Sequence, residues 1–320
     1  MSTAAAAGGA IARSEGLYAA PFTPFLADGG IAFDRIPALA DRLVRDGVTG
    51  AFVCGSNGEG PNLATSERMA LAEAWMSASD GRLRIWVHVG HPSIVEARAL
   101  AAHAAGIGAD AASAVAAFYF KPSSVENLVA CMAQIASAAP DLPFYYYHIP
   151  ALTGLGLDMV RFLELAGCEI PNLRGIKYTA PTIWEYQACL EACGGRFDVL
   201  FGYDEMLLPA LSVGARAAIG STYNFAAPLY LEVIDAFRRG EMDDARARMG
   251  SLVDMVRVLL QFPTIPAQKE IMRALGHDLG SCRLPLEELK ADQAKELRDR
   301  LEAGGFWRAL EQATRARTRR

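Results

Sequence analysis

The sequence predicts a closed (β/α)8 barrel (a TIM barrel) followed by a C-terminal helical extension, an α/β fold. Short runs rich in Val, Ile, Phe and Tyr alternate with longer segments of helical period from residue 16 onward. This alternation indicates a parallel sheet whose strands are joined by helices. We find eight such units, and an open doubly wound sheet would more often stop at five or six strands.

The predicted elements follow one another with turn residues between them. Strands are predicted at residues 17–23, 50–54, 85–89, 113–120, 143–148, 173–177, 199–203 and 217–220. Helices are predicted at residues 36–46, 66–79, 94–105, 125–138, 159–165, 183–191, 205–211 and 228–239.

The strand pattern stops after residue 239, and this divides the chain into three predicted parts. Residues 1–15 are rich in Ala and Gly and are expected to be a disordered lead-in. Residues 16–240 are predicted to form the barrel, and this part is expected to be the catalytic domain. Residues 241–320 form a C-terminal helical region with helices at 243–260, 271–274 and 286–303, separated by 262–266 and 276–285.

Composition excludes several classes of protein. The 320 residues are 52% hydrophobic and 21% charged, which suits a large buried core. A net charge of -5 gives no basic surface for nucleic acid or for an anionic membrane. We expect no membrane span, because no run of about 18 apolar residues occurs. The six cysteines lack metal-ligand spacing, so we expect reduced thiols in a cytoplasmic protein.

Lys177 lies within the apolar run of the sixth predicted strand, in a chain with 26 arginines and only five lysines. It could simply reach solvent from the end of the strand. A buried lysine, however, loses its proton more readily than an arginine and can attack a carbonyl group to form a Schiff base. The rest of the sequence has to decide between these readings.

Polar residues cluster where the predicted strands end. The carboxyl ends of the strands form the active-site face of a (β/α)8 barrel. These ends carry Thr23, the loop 55–60, Tyr119, residues 147–150, residues 177–179, residues 202–205 and residues 221–224. We therefore expect them to surround one site.

A Schiff base between Lys177 and a 2-oxo acid would act as an electron sink and let the neighbouring C–C bond break, as in a class I aldolase. Such a reaction needs a group that moves a proton, and a phenol can do this. Tyr147 is the candidate, because the two-residue period of a strand directs Tyr146 outward and places Tyr145 deeper in the barrel.

A glycine-rich loop and two carboxylates supply candidate binding groups. Backbone N–H groups of the loop 55–60, with the side chains of Ser56 and Asn57, could bind a substrate carboxylate, although such loops often serve only to turn the chain. Asp204 and Glu205 could bind a metal, act as acid and base, accept from sugar hydroxyls, or only begin a helix. The mechanism requires no metal, and the five histidines form no ligand cluster with carboxylates.

Five motifs occur in order along the chain: Gly-Ser-Asn-Gly-Glu at 55–59, Tyr-Tyr-His-Ile-Pro-Ala-Leu-Thr-Gly at 146–154, Gly-Ile-Lys-Tyr-Thr at 175–179, Phe-Gly-Tyr-Asp-Glu at 201–205 and Gly-Ser-Thr-Tyr-Asn at 220–224. With them the chain resembles the dihydrodipicolinate synthase/N-acetylneuraminate lyase family over residues 17–289, and the lyase branch more closely. The resemblance implies a barrel with a helical C-terminal region, a homotetramer, and a lysine Schiff base that needs no cofactor.

The resemblance also implies roles for individual residues. Lys177 matches the Schiff-base lysine and Tyr147 the acid/base tyrosine. Ser56 and Asn57 match the groups that bind the pyruvate carboxylate, and Tyr119 matches a tyrosine that approaches the site of a neighbouring subunit. Positions that contact the hydroxylated part of the sugar acid are matched by Thr179, Gly202, Asp204, Glu205 and Ser221.

Two positions bear on the substrate. Synthases of the family carry an arginine where this chain has Leu152, so a dicarboxylic aldehyde is disfavoured. Asn57 stands where relatives have a hydroxyl residue that can relay a proton. The sequence therefore predicts aldol cleavage of N-acetylneuraminate or a related 2-oxo-3-deoxy sugar acid. Alternatives are a hydro-lyase or pyruvate aldolase acting on another 2-oxo acid, and a non-catalytic barrel that binds sugar acids.

Overall fold

A computed structural model describes residues 13–318, in which eight parallel strands close a barrel in the order of the chain. The strands are β1 (Gly16–Ala19), β2 (Gly50–Val53), β3 (Arg84–His88), β4 (Ala111–Val115), β5 (Phe144–His148), β6 (Leu173–Tyr178), β7 (Asp198–Phe201) and β8 (Ala217–Gly220). β8 pairs with β1 and completes the ring. The predicted (β/α)8 fold is confirmed.

Helices surround the barrel and continue after it. They are α1 (Ile36–Arg45), α2 (Thr65–Ser79), α3 (Ile94–Gly106), α4 (Val125–Ala136), α5 (Pro150–Thr153), α6 (Met159–Glu169), α7 (Ile183–Gly195), α8 (Leu207–Ser212), α9 (Ala227–Arg238), α10 (Met242–Leu259), α11 (Thr264–Ala274), α12 (Ala291–Ala303) and α13 (Phe306–Thr318). None of the helices described is long and apolar enough to cross a membrane.

Local sequence fixes the start of several helices. The side chains of Ser93, Ser124 and Asp158 each accept a hydrogen bond from the backbone N–H three residues later, at the starts of α3, α4 and α6. These caps satisfy N–H groups that have no partner within the helix. The chain therefore enters each of these helices at a defined residue after its strand.

The apolar residues form two cores, because each strand directs alternate side chains to opposite faces. The larger core lies between the barrel and its helices. A smaller core fills the inside of the barrel, where Tyr18, Trp86 and Tyr145 pack near the amino-terminal end of the strands. Phe52 and Tyr147 pack one layer closer to the carboxyl ends.

Some predicted boundaries were wrong. β4 ends at Val115, well before residue 120, so the aromatic residues 118–120 lie in the following loop. α11 begins at Thr264, inside a segment predicted to separate helices, and α13 was not predicted. Of the predicted lead-in, residues 1–12 lie outside the described residues, and the backbone N–H of Ser14 donates to Asp198 at 3.1 Å.

Candidate active site

The active-site face of the barrel contains a cavity of about 240 Å³, around which nine predicted site residues meet. They are Ser56, Asn57, Tyr147, Lys177, Thr179, Gly202, Asp204, Glu205 and Ser221. Residues from five strand ends therefore face one small volume, although up to 165 positions separate them in the sequence.

Lys177 lies inside the barrel and is only 3% exposed, so it does not reach solvent from the strand end. Its Nζ lies 3.9 Å from the ring centroids of both Phe52 and Tyr147. Burial lowers the pKa of the amine from 10.5 to about 7, and the Asp204 carboxylate opposes this shift. A substantial fraction of the amine is therefore unprotonated and nucleophilic at neutral pH.

Tyr147 is paired with Lys177 in the register of β5 and β6, so both side chains point into the barrel at the same level. Burial raises the pKa of its hydroxyl to about 12, while the neighbouring hydroxyl groups of Ser56 and Thr179 lower it. The two neighbouring tyrosines are occupied elsewhere. Tyr145 donates to Asp198 at 3.0 Å, and Tyr146 packs outward against Phe162.

Asp204 is a buried carboxylate held by the chain that follows β8. One of its oxygens accepts from the backbone N–H of Thr222 at 2.9 Å and from the Thr222 hydroxyl at 2.6 Å. Burial raises the pKa of Asp204, whereas these hydrogen bonds and the charge of Lys177 lower it. Asp204 is thus fixed beside the cavity and favours the protonated form of Lys177.

Two glycines allow close packing at the strand ends beside the cavity. A Cβ atom added to Gly202 would overlap the hydroxyl group of Thr179. A Cβ atom added to Gly220 would overlap the carboxylate of Asp204. Neither position has room for a side chain, so glycine is required for the packing of the site.

The loop 55–60 lies between Tyr147 and the C-terminal helices. Its Glu59 is fully buried and pairs with Lys269 of α11, with 2.9 Å between Oε1 and Nζ. The other carboxylate oxygen of Glu59 accepts from the backbone N–H of Arg283 at 2.9 Å. The C-terminal region therefore holds the loop that carries Ser56 and Asn57.

Sequence reasoning missed several residues of the site. Phe52 could have been found, because the two-residue period of β2 directs it inward. Lys269 could not, because 210 positions separate it from Glu59 and no local pattern links them. In the chain from 13 to 318 we find no group of three or more His, Cys, Asp and Glu side chains arranged to hold a metal ion.

Tyr119 does not reach this cavity within one chain. It lies in the loop after β4, is 78% exposed, and contacts the ring of Phe120. The expectation that it lies at a strand end is wrong, because β4 stops at Val115. Its predicted approach to a neighbouring subunit remains a prediction.

A second cavity of about 630 Å³ adjoins the first. The two share Ser56, Asn57, Ile149 and Leu152, and the second is lined mainly by apolar groups. Two of these apolar side chains are Phe118 and Ile265. The site thus has a polar part around Lys177 and an apolar part beside it.

Comparison with known proteins settles the family. Residues 13–304 match the model of the dihydrodipicolinate synthetase family. The chain belongs to this family. The N-acetylneuraminate lyase of Xenopus tropicalis is 39% identical over 294 residues, which are 90% of this chain and 96% of that protein.

Solved structures of the dihydrodipicolinate synthetase family agree. The N-acetylneuraminate lyase (sialic acid aldolase) of Aliivibrio salmonicida is 43% identical with a TM-score of 0.90, and the match covers 92% of this chain and 98% of that one. The N-acetylneuraminate lyase of Proteus mirabilis is 41% identical with a TM-score of 0.90, over 92% of this chain and 100% of that one. The predicted resemblance to the lyase branch is confirmed.

Proposed function

We propose that this protein is a class I aldolase, a lyase that cleaves N-acetylneuraminate or a related 2-oxo-3-deoxy sugar acid to pyruvate and an aldose. The observation that carries the proposal is the buried amine of Lys177, with its pKa lowered to about 7, lying 3.9 Å from the ring centroid of Tyr147. The similarity to N-acetylneuraminate lyases supports the same substrate.

In the proposed mechanism, the neutral amine of Lys177 attacks the C2 carbonyl carbon. Uptake of one proton from solvent lets the oxygen leave as water, which gives an iminium ion. Tyr147 takes the proton of the C4 hydroxyl as its own proton passes through the Ser56 hydroxyl to the substrate carboxylate, since a phenol with a pKa of about 12 is protonated at neutral pH. The C3–C4 bond then breaks, and its electrons form an enamine. Protonation at C3 and hydrolysis release pyruvate, so no cofactor is needed.

Substrate contacts are assigned by the two sides of the cavity. Ser56 and Asn57 of the loop would bind the carboxylate next to the ketone. The hydroxylated chain would lie against five residues on the opposite side: Thr179, Gly202, Asp204, Glu205 and Ser221. Because Asp204 is already fixed by Thr222, it can accept a hydrogen bond without moving.

A borohydride experiment tests the mechanism. Incubation with pyruvate and borohydride should leave a permanent adduct on Lys177, located by peptide mass spectrometry. Lys177→Ala is the control and should give none. A wild-type protein without an adduct on this lysine would remove the proposed mechanism.

A second candidate is a hydro-lyase or pyruvate aldolase that acts on another 2-oxo acid. Asn57 favours this candidate, because an amide relays protons poorly. The apolar cavity of about 630 Å³ also favours it, because such a cavity suits a less polar substrate. A panel of 2-oxo acids with detection of pyruvate separates the candidates, since a dehydratase that leaves the C–C bond intact releases no pyruvate.

We also propose a cytoplasmic homotetramer in which Tyr119 reaches a neighbouring subunit's site. The loop after β4 presents Phe118, Tyr119 and Phe120 to solvent in the single chain, which is unfavourable unless another surface covers them. All six cysteines are free thiols, in keeping with a reducing compartment. Light scattering tests the homotetramer by giving the mass of the assembly. Tyr119→Ala tests the role of Tyr119 and should lower activity.

A further inference from the structure

Arg68 is a buried arginine without a carboxylate partner. Its side chain extends from α2 and is 2% exposed. Nη1 donates to the carbonyl of Gly90 at 2.9 Å, and Nη2 donates to the carbonyl of His88 at 2.5 Å. Among residues 13–318, no Asp or Glu oxygen lies within 4.0 Å of this guanidinium. The fold therefore encloses a positive charge that only neutral groups solvate.

Arg42 is also buried, but it has a carboxylate partner. Its Nε lies 3.2 Å from a carboxylate oxygen of Asp46, one turn along α1. Burying a charge is unfavourable unless an opposite charge lies close by. The unpaired charge of Arg68 is thus a cost to the fold that Arg42 avoids.

His88 connects Arg68 to the candidate active site. Nδ1 of His88 lies 3.3 Å from Nη2 of Arg68 and 3.1 Å from the carbonyl oxygen of Cys54, and the backbone N–H of Val115 lies 3.4 Å from Nε2. Burial, followed by the charges of Arg68 and Lys177, lowers the pKa of His88 well below its usual value. His88 is therefore neutral and lies between the two cations.

Cys54 is the residue at which the loop 55–60 begins. Its φ of 60° is in the left-handed region, which a residue with a side chain adopts only when its surroundings enforce it. The carbonyl oxygen of Cys54 contacts His88. The thiol of Cys54 lies 3.5 Å from the backbone carbonyl oxygen of Arg68. Arg68 and His88 thus hold the start of the loop that carries Ser56 and Asn57.

We infer that Arg68 is a positioning residue whose enclosed charge balances the carboxylate of the bound 2-oxo acid, acting from beneath the loop 55–60. The inference rests on the proposed function, because that carboxylate is the one assigned to Ser56 and Asn57. The two other buried cations near the cavity face carboxylates: Lys269 pairs with Glu59, and Lys177 faces Asp204. The enzyme should therefore select anionic 2-oxo acids over neutral ketones of the same shape.

The test compares two probes of similar shape and different charge, pyruvate and its neutral amide, pyruvamide. Each is trapped on Lys177 with borohydride, and the trapping rate is measured at low probe concentration. In Arg68→Met the preference for pyruvate over pyruvamide should fall about tenfold, because the lost charge acts through protein with an effective dielectric constant of about 20. Arg68→Lys keeps the charge and should keep most of the preference. Arg42→Met is the matched control, and its preference should equal that of wild type.

The outcomes separate a role of the Arg68 charge in binding from a purely structural role. Equal loss with both probes in a folded Arg68→Met protein would show a purely structural role and overturn the inference. If Arg68→Met does not fold, two other results would overturn the inference. One is loss of the preference for pyruvate in Arg68→Lys, and the other is equal trapping of both probes by wild type. Failure of wild type to trap pyruvate at all counts against the proposed function.

Discussion

The buried amine of Lys177 should destabilise the fold at neutral pH, and Lys177→Met should relieve this. The pKa of this amine falls from 10.5 to about 7 on burial. Since one pKa unit corresponds to about 1.4 kcal/mol, holding the protonated amine inside the barrel costs about 5 kcal/mol. Methionine has a similar length and no charge, so it should fill the space beside Phe52 and Tyr147.

Proton binding sets the direction of the pH dependence. Between pH 7 and 10.5 the amine is protonated in the unfolded chain but not in the folded protein. The unfolded chain then binds more protons, so wild-type stability rises with pH. Below about pH 7 both states are protonated and the cost is complete. The advantage of Lys177→Met in unfolding free energy should therefore shrink by about 2 kcal/mol from pH 7 to pH 9.

Urea unfolding followed by circular dichroism, at one protein concentration and at pH 6, 7, 8 and 9, measures this difference. Groups that do not interact with Lys177 cancel between the two proteins, including Cys54, whose pKa is raised to about 11 by burial. Lys295→Met removes an exposed lysine and should give a difference that does not vary with pH. A difference for Lys177→Met that is equally flat would refute the lowered pKa and with it the argument for a nucleophilic amine.

Three further predictions concern the site. Tyr147→Phe should lower kcat by about 100-fold or more while pyruvate still forms its borohydride adduct, because only the proton transfer is lost. Lys269→Met should lower the unfolding free energy, measured in urea, by about 3–5 kcal/mol, because it leaves Glu59 buried and unpaired. The double variant Lys269→Met with Glu59→Gln should recover part of the lost stability. Gly202→Ala should reduce kcat/KM by displacing Thr179, whereas no loss would contradict the close approach described above.

The inner layer of the site could be predicted because it depends on strand periodicity. Alternation along β5 and β6 places Tyr147 and Lys177 on the same face, and the parallel barrel brings their strand ends together. Motif order placed Asp204 and Ser221 at the same rim. For these residues, the local sequence pattern and the fold class are enough to predict their position in the site.

The remaining features depend on contacts that no local pattern records. β4 was predicted too long because Phe118, Tyr119 and Phe120 favour strands, whereas its buried alanines do not. α13 was missed because its start follows Gly304 and Gly305. Pairing between Glu59 and Lys269, and the enclosed charge of Arg68, appear only after folding.

The contacts that Lys269 and Arg283 make with Glu59 also limit how this enzyme could be engineered. A chimaera that joins this barrel to a tail without these two residues would leave the buried carboxylate of Glu59 in the loop 55–60 without its partners. Residues 59, 269 and 283 would have to be inherited together. Recombination libraries should therefore treat the barrel and its tail as one unit of exchange.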